Sequence, residues 1–249
     1  TVVFDGNLLL ASLKSNLPSN TTVSLPSLRI DSFEEYYAQE AKKNSLTFAP
    51  EAGTQRLRDV INKDITEQEI KNGVEKAFNL GYSAIKLYFM LGLPTEIDED
   101  LEGICDIVEM IKSVYSQNDK RLRGLRINVS VSTFIPKPFT PFQWEKFVTK
   151  QEVEDKLNVL KKRLFIKGVS LKWNDYELSE MEAVLARGDR KVGKVILDAY
   201  NQGCIFDSWS EFFDPDKWYK AFENAGVNKD NYTKKELKDD DWVIIMYFR

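Results

Sequence analysis

The chain predicts an α/β fold, a parallel sheet with helical crossovers followed by a helical extension. Strand-like apolar runs and helix-period runs alternate about five times, the order that builds parallel strands joined by crossover helices. Three of those runs end in similar punctuation, at Pro50-Glu51-Ala52-Gly53, Gly92-Leu93-Pro94 and Phe134-Ile135-Pro136. Parallel α/β proteins build their ligand sites at strand exits of this kind, so three of them suggest one shared pocket. After Trp173 the strand pattern stops and helical, aromatic-rich sequence takes over. The expected division is therefore 1–173 for the α/β part and 174–249 for the extension.

The 249 residues suit one large domain, or a domain with a smaller appendage. Apolar residues make up 43% and charged residues 30%, enough for a sizeable core under an ordinary soluble surface. The longest apolar runs fall short of the roughly 20 residues that span a membrane. No basic-then-apolar leader opens the chain, and a cytoplasmic location is expected. Thr1 is not a natural start, so the chain is expected to be cut from something longer. A net charge of −4 argues against broad electrostatic attraction to nucleic acid, although local basic loops can still contact RNA. There is no histidine, which excludes imidazole acid–base chemistry, Ser-His and Cys-His pairs, and histidine metal ligation. Cys105 and Cys204 are too far apart for a C-x-x-C site, and nothing supports a structural zinc or a disulfide framework. Cys105 shares an apolar helix face with Leu101, Ile104 and Val108, a core-packing position. Cys204 follows a glycine turn and reads as a plain buried thiol.

Along the chain, residues 1–20 hold a short apolar start, a helical stretch at 8–13 and a turn at 17–20. Residues 23–28 read as a strand whose far end is demoted by Pro26, and Asp31 or Ser32 caps a helix to about Lys43. The next strand is 46–49, and Gly53-Thr54 opens a short helix through Leu57 and Ile61. Thr66-x-x-Glu69 is a capping box before a helix carrying Ile70, Val74, Ala77 and Phe78, with Gly81 at its left-handed cap. Residues 83–91 form a nearly continuous apolar strand, the pattern of burial on both faces. Lys86 interrupts it and needs a partner: an end of the barrel, a neighbouring carboxylate or a ligand.

Glu96, Asp98, Glu99 and Asp100 suit the positive N-terminus of a helix reaching Tyr115. A charged loop at 120–123 follows, then a strand in which Leu125, Ile127, Val129 and Val131 alternate, ending near Pro136. Val153, Leu157, Leu160 and Leu164 mark a helix, and 169–173 a last short strand. The extension shows helical patterns over 180–186, 191–200 and from Asp214-Pro215 onward. Trp209, Phe212, Phe213, Trp218, Tyr219 and Phe222 read as a satellite core, with an aromatic stacking surface as the alternative. Residues 234–241 are charged and expected to be loosely ordered.

Glu51, Gly53 and Thr54 are the strongest candidates for chemistry. Gly53 permits close backbone approach, and the helix behind it points N–H groups and its positive dipole end at whatever binds. Glu51 at the strand exit can accept hydrogen bonds from an ammonium or a ribose hydroxyl, or can simply pair with Arg56 or Arg58 to tie down the turn. Gly92-Leu93-Pro94 offers bare backbone to a flat ligand beside Met90 and Leu91, though β-to-α turns use Gly and Pro in any case. Phe134-Ile135-Pro136 has the same ambiguity, its proline removing one donor and leaving an edge for a heterocycle.

The segments SLPSLRIDSF, SLTFAPEAGTQRLRDVINK, IKLYFMLGLPTE, VSVSTFIPKPFTPFQW and EAVLARGDRKV closely resemble the radical S-adenosylmethionine superfamily. More narrowly, they are similar to a subfamily that carries a cobalamin-binding-like region before the radical domain. The resemblance covers residues 23–227 and implies a partial TIM-type (β/α)6 barrel. It implies an iron–sulfur enzyme whose 4Fe–4S cluster binds S-adenosylmethionine and cleaves it to a 5′-deoxyadenosyl radical, with cobalamin as a further candidate cofactor. By position, Glu51 and Gly53 match the family's Glu-x-Gly at the ribose and amino-acid end, and Thr54 falls where relatives often have serine. Lys63 falls where many have an arginine near the methionyl carboxylate, a point charge in place of a bidentate fork. Gly92, Leu93 and Pro94 match the glycine motif that packs on adenine, and Phe134 and Ile135 the backbone that reads the adenine edge.

One departure stands out. The superfamily's C-x-x-x-C-x-x-C motif is absent, so the resemblance places it upstream of Thr1, in a missing N-terminal part of the same barrel. The chain as given is then expected neither to hold the cluster nor to be catalytic by itself. Two other classes remain. One is a nucleotide-binding or scaffold module descended from such a barrel. The other is an RNA-binding or modification subunit, motivated by the basic groups at 120–123, Lys137, Lys161-Lys162-Arg163 and Arg187-x-x-Arg190. RNA or a protein is a candidate substrate, no membrane partner is expected, and the sequence does not name the product.

Overall fold

The computed structural model describes residues 16, 18, 45–118 and 124–234. The strand expected at 23–28, the helices at 8–13 and 31–43, the loop at 120–123 and the tail from 235 lie outside the described residues. Among those described, the order is β1 (Leu46–Glu51), α1 (Gln55–Val60), α2 (Glu67–Asn79), β2 (Ala84–Leu91), α3 (Asp98–Ser116), β3 (Arg126–Thr133), α4 (Lys150–Arg163) and β4 (Val169–Trp173). Four helices follow: α5 (Tyr176–Arg187), α6 (Val192–Asn201), α7 (Pro215–Ala225) and α8 (Asp230–Thr233). The strands form one parallel sheet in the order β1-β2-β3-β4, with two helices between β1 and β2 and one between each later pair. That sequential order is consistent with a partial TIM-type barrel.

The described chain forms two compact units. The first comprises 45–89, 97–118, 124–131 and 159–172, and the second 90–96, 132–158 and 173–234.

In the first unit, β1 and β2 pair with Leu46 opposite Ile85 and Phe48 opposite Leu87, then slip at a bulge before Glu51 meets Phe89. Alternation turns Phe48, Ile85, Leu87, Phe89, Ile127 and Val129 into full burial. Helix α2 packs on α3, where Phe78 meets Tyr115 edge to face at 5.3 Å. The Thr66–Glu69 capping box forms as expected, and Gly81 takes the left-handed conformation at φ 90°. The expectation that β2 is covered on both faces needs correction: Lys86, Tyr88 and Met90 lie on a half-buried face. That exposure lets Lys86 sit there, its ammonium 4.6 Å above the Tyr88 ring two residues on and on the same face.

The second unit has its own core of Met181, Val184, Val192, Val195, Ala199, Trp218, Ala221 and Phe222. Asp214 accepts from the N–H groups of Asp216 and Lys217, Pro215 takes the first helical position, and Gly226 closes α7 at φ 64°. The aromatic cluster divides. Trp218 and Phe222, one helical turn apart, are buried and Phe213 packs against them, whereas Trp209 is 62% and Phe212 60% exposed. The helical period turns the first pair inward, while Trp209 and Phe212 sit on the turn before α7. Cys204 packs half-buried against the same core. Among the described residues, no helix is long and apolar enough to cross a membrane.

This division predicts unequal effects. Phe222→Ala should lower stability by about 3–5 kcal/mol in urea denaturation. Trp209→Ala should change it by no more than about 0.5 kcal/mol.

Candidate functional site

β1 leaves the sheet through its bulge with Glu51 at φ 69°, a left-handed conformation that side chains other than glycine rarely adopt. Holding such a residue costs on the order of 1–3 kcal/mol, and positions of this kind cluster at ligand sites. The Glu51 carboxylate lies 3.2 Å from the Lys63 ammonium, and the two side chains are 27% and 24% exposed. Two residues singled out separately in the sequence are thus one ion pair within reach of solvent.

The pairing of Glu51 with Arg56 or Arg58 does not occur. Arg56 bonds instead to the Asp100 carboxylate. Arg58 is fully buried and donates to the carbonyls of Ala52 at 3.1 Å, Gly53 at 3.2 Å and Ile65 at 3.0 Å, which ties the turn to the chain beyond α1. Burial draws its guanidinium below the ordinary arginine value. Arg58 is spent on backbone carbonyls and Arg56 on Asp100, and it is Lys63, after α1, that reaches Glu51.

Gly53 does allow close backbone approach, and the partner is α3. A Cβ at Gly53 would stand 2.1 Å from the Asp100 carbonyl and 2.4 Å from the Ile104 nitrogen, and a Cβ at Gly103 would meet Gly53 at 2.8 Å. Thr54 caps α1, its hydroxyl accepting from the Leu57 N–H at 3.2 Å and donating to the Asp100 carboxylate. Asp100, only 2% exposed, also accepts from the Ile97 N–H at 2.9 Å. Sequence reasoning saw Asp100 only as one of four acids in a first helical turn and missed this junction. A cleft of about 350 Å³ opens beside it, lined in part by Gly53, Thr54, Glu67, Ile70, Gly103 and Asp106.

The other two strand exits belong to the second unit. Gly92 turns at φ 78° and Thr95 at φ 64°. The Gly92 and Leu93 N–H groups donate to Glu96 Oε2 at 2.6 and 3.0 Å, while Lys156 Nζ lies 3.0 Å from Oε1. The Glu96 side chain is 2% exposed. Burial pushes its carboxyl above the ordinary glutamate value, against the opposing pull of Lys156 and the two N–H groups. Because this folded value is raised, the group's contribution to stability is present at low pH and declines as pH climbs through that value. Phe134 donates its N–H to the Leu91 carbonyl at 2.8 Å, and its ring meets Phe142 edge to face at 6.0 Å. The residues named in the sequence therefore form two sets, Glu51, Gly53, Thr54 and Lys63 in the first unit and Gly92, Leu93, Pro94, Phe134 and Ile135 in the second.

The described residues do not fit an iron–sulfur cluster. No group of three or more His, Cys, Asp or Glu among them could hold a metal ion. Such a cluster needs thiolates, but Cys105 is buried with its thiol pushed up to about 11, and the Cys204 thiol is also raised, burial being the main cause in both.

A parallel sheet with helical crossovers and polar strand exits is the architecture of a partial TIM-type (β/α) barrel. Residues 6–108 match the model of the Radical SAM superfamily. An uncharacterised protein of Methanocaldococcus jannaschii is 33% identical over 207 residues, a span covering 83% of this chain. The same span covers 44% of that relative, so the chain corresponds to less than half of its length. A cobalamin-binding-like region is not among what these comparisons match.

Gly53→Ala should destabilise the first unit by about 3 kcal/mol or more, since backbone on both sides of the contact would have to move. Thermal melting measures this. Cys105 should resist alkylation at pH 8 in the folded chain and react only on unfolding, with Cys204 modified first.

Proposed function

We propose that the chain is the later part of the barrel of a radical S-adenosylmethionine enzyme, with the cluster ligands supplied by a part of the parent protein outside these 249 residues. The observation that carries the reading is Glu51, held in a strained conformation beside Lys63. A carboxylate and an ammonium 3.2 Å apart, both reachable from solvent, suit a zwitterion such as the methionyl end of the cofactor. On this reading the amino group exchanges onto Glu51 and the carboxylate onto Lys63, each gaining a charge-assisted bond.

At the exits in the second unit the N–H groups of Gly92, Leu93 and Phe134 are already engaged, and Pro94 and Pro136 have none. Carbonyl oxygens are what such an edge holds out, and an exocyclic amino group such as adenine's is the donor that suits them. When bound, S-adenosylmethionine supplies the sulfonium whose reductive cleavage gives the 5′-deoxyadenosyl radical for hydrogen abstraction. The part assigned to this chain is to bind and orient it.

The RNA reading draws less support. Lys137 pairs with Glu182 at 2.5 Å and Arg163 with Glu102 at 3.0 Å, while Arg187 is buried and donates to the Glu145 carbonyl. Three of the basic groups that motivated it are thus engaged within the fold.

The test is anaerobic reconstitution of the complete parent protein with iron and sulfide, followed by reduction and assay for 5′-deoxyadenosine. Absence of cleavage by a loaded parent protein overturns the reading. Glu51→Gly separates function from folding. It relieves the left-handed strain, so the melting temperature should hold or rise, while affinity for S-adenosylmethionine should fall about tenfold with the charge-assisted bond. Unchanged affinity would remove Glu51 from the site.

A further inference from the structure

The turn from Gly92 to Glu96 is held by a residue far along the chain. Gly92 and Thr95 both take left-handed conformations in it. Its shape comes from the Glu96 carboxylate, which gathers the Gly92 and Leu93 N–H groups, and from the Glu96 N–H, which donates to the Leu93 carbonyl at 3.1 Å. The turn also rests on Val148, close enough that a Cβ at position 92 would stand 2.9 Å from Val148 Cγ1. Glu96 is buried, and an unpaired buried carboxylate is strongly destabilising. Lys156, projecting from α4 with its side chain 19% exposed, is the opposite charge that faces it at 3.0 Å.

A cleft of about 260 Å³ lies at this turn, lined by Gly92, Glu96 and Lys156 and also by Glu145, Lys146 and Glu152. Glu152 is engaged at the start of α4, accepting from the Thr149 N–H at 2.8 Å and hydroxyl at 2.6 Å, which holds its carboxyl below the ordinary glutamate range.

We propose that Lys156 and Glu96 are a positioning pair. The α4 ammonium keeps Glu96 ionised against the Gly92 and Leu93 N–H groups, and so fixes the carbonyl edge that a ligand's amino group would meet. An ionised acceptor holds two N–H groups more tightly than a neutral one. Loss of the ammonium therefore loosens the turn through Glu96. The ligand half of this proposal rests on the adenine reading above, and the pair itself rests on the geometry.

Amide hydrogen exchange and pH titration by NMR of the ¹⁵N-labelled chain test the pair. In Lys156→Met, the Gly92 and Leu93 amides should exchange about tenfold faster, the size expected for weakened charge-assisted bonds. The pH at which both amides respond to Glu96 should also rise, while the Val195 and Phe222 amides in the helical core stay protected. Lys156→Arg should restore both properties, and Glu96→Gln should abolish the pH response. Unchanged exchange and midpoint in Lys156→Met overturn the pair, as does loss of protection that spreads equally to Val195 and Phe222. Titrating S-adenosylhomocysteine into the wild-type chain tests the ligand half separately. Shifts at Gly92, Leu93 and Phe134 support it, and their absence overturns it while the exchange data still decide the pair.

Discussion

The meeting of Gly53 with Gly103 is the contact on which the first unit depends. Two residues without side chains let the turn after β1 lie directly against the backbone of α3, and no other residue type fits at this distance. Asp100 then fastens the contact, taking the Thr54 hydroxyl, the Arg56 guanidinium and the Ile97 N–H on one buried carboxylate. With the turn anchored from that side, and with Arg58 holding the Ala52, Gly53 and Ile65 carbonyls, the chain can carry Glu51 at a positive φ. A strained residue persists where its surroundings over-determine it, and here they do so through four named side chains.

The second unit uses buried charge for a similar purpose. Glu96 gathers two backbone donors and faces Lys156, and Glu180, 3% exposed, takes Lys229 at 2.6 Å and the Tyr219 hydroxyl at 3.3 Å. Buried pairs of this type add little net stability over apolar packing, because desolvation offsets the attraction. Their effect is to define where backbone and side chains sit. At Gly92 and Leu93 the consequence is that both backbone donors are engaged by one carboxylate.

Much of the framework was legible in the sequence because it depends on neighbours along the chain. The Thr66–Glu69 box, the Gly81 cap, the Asp214-Pro215 start and the alternating inward face of β3 all follow from spacings of a few residues. Cys105 fell on the apolar face that Leu101, Ile104 and Val108 define, and it is buried there. Readings that needed a partner fared less well. Glu51 was weighed against two arginines of its own turn, yet Lys63 holds it. Gly53 was read as an approach to ligand, yet its neighbour is a helix. The aromatic cluster reads as one core, yet Trp218 and Phe222 are buried with Phe213 packed against them while Trp209 and Phe212 face solvent.

By itself, then, the sequence determined the strand–helix order, the polar strand exits and the resemblance that the comparison over residues 6–108 supports. Those depend on period, capping and motif order, which are properties of short contiguous segments. The tertiary structure alone decided which charge meets which: Glu51 with Lys63, Asp100 with Thr54 and Arg56, and Glu96 with Lys156. An ion pair forms where packing brings two side chains within about 4 Å, and no local pattern encodes that distance for residues as far apart as Glu96 and Lys156.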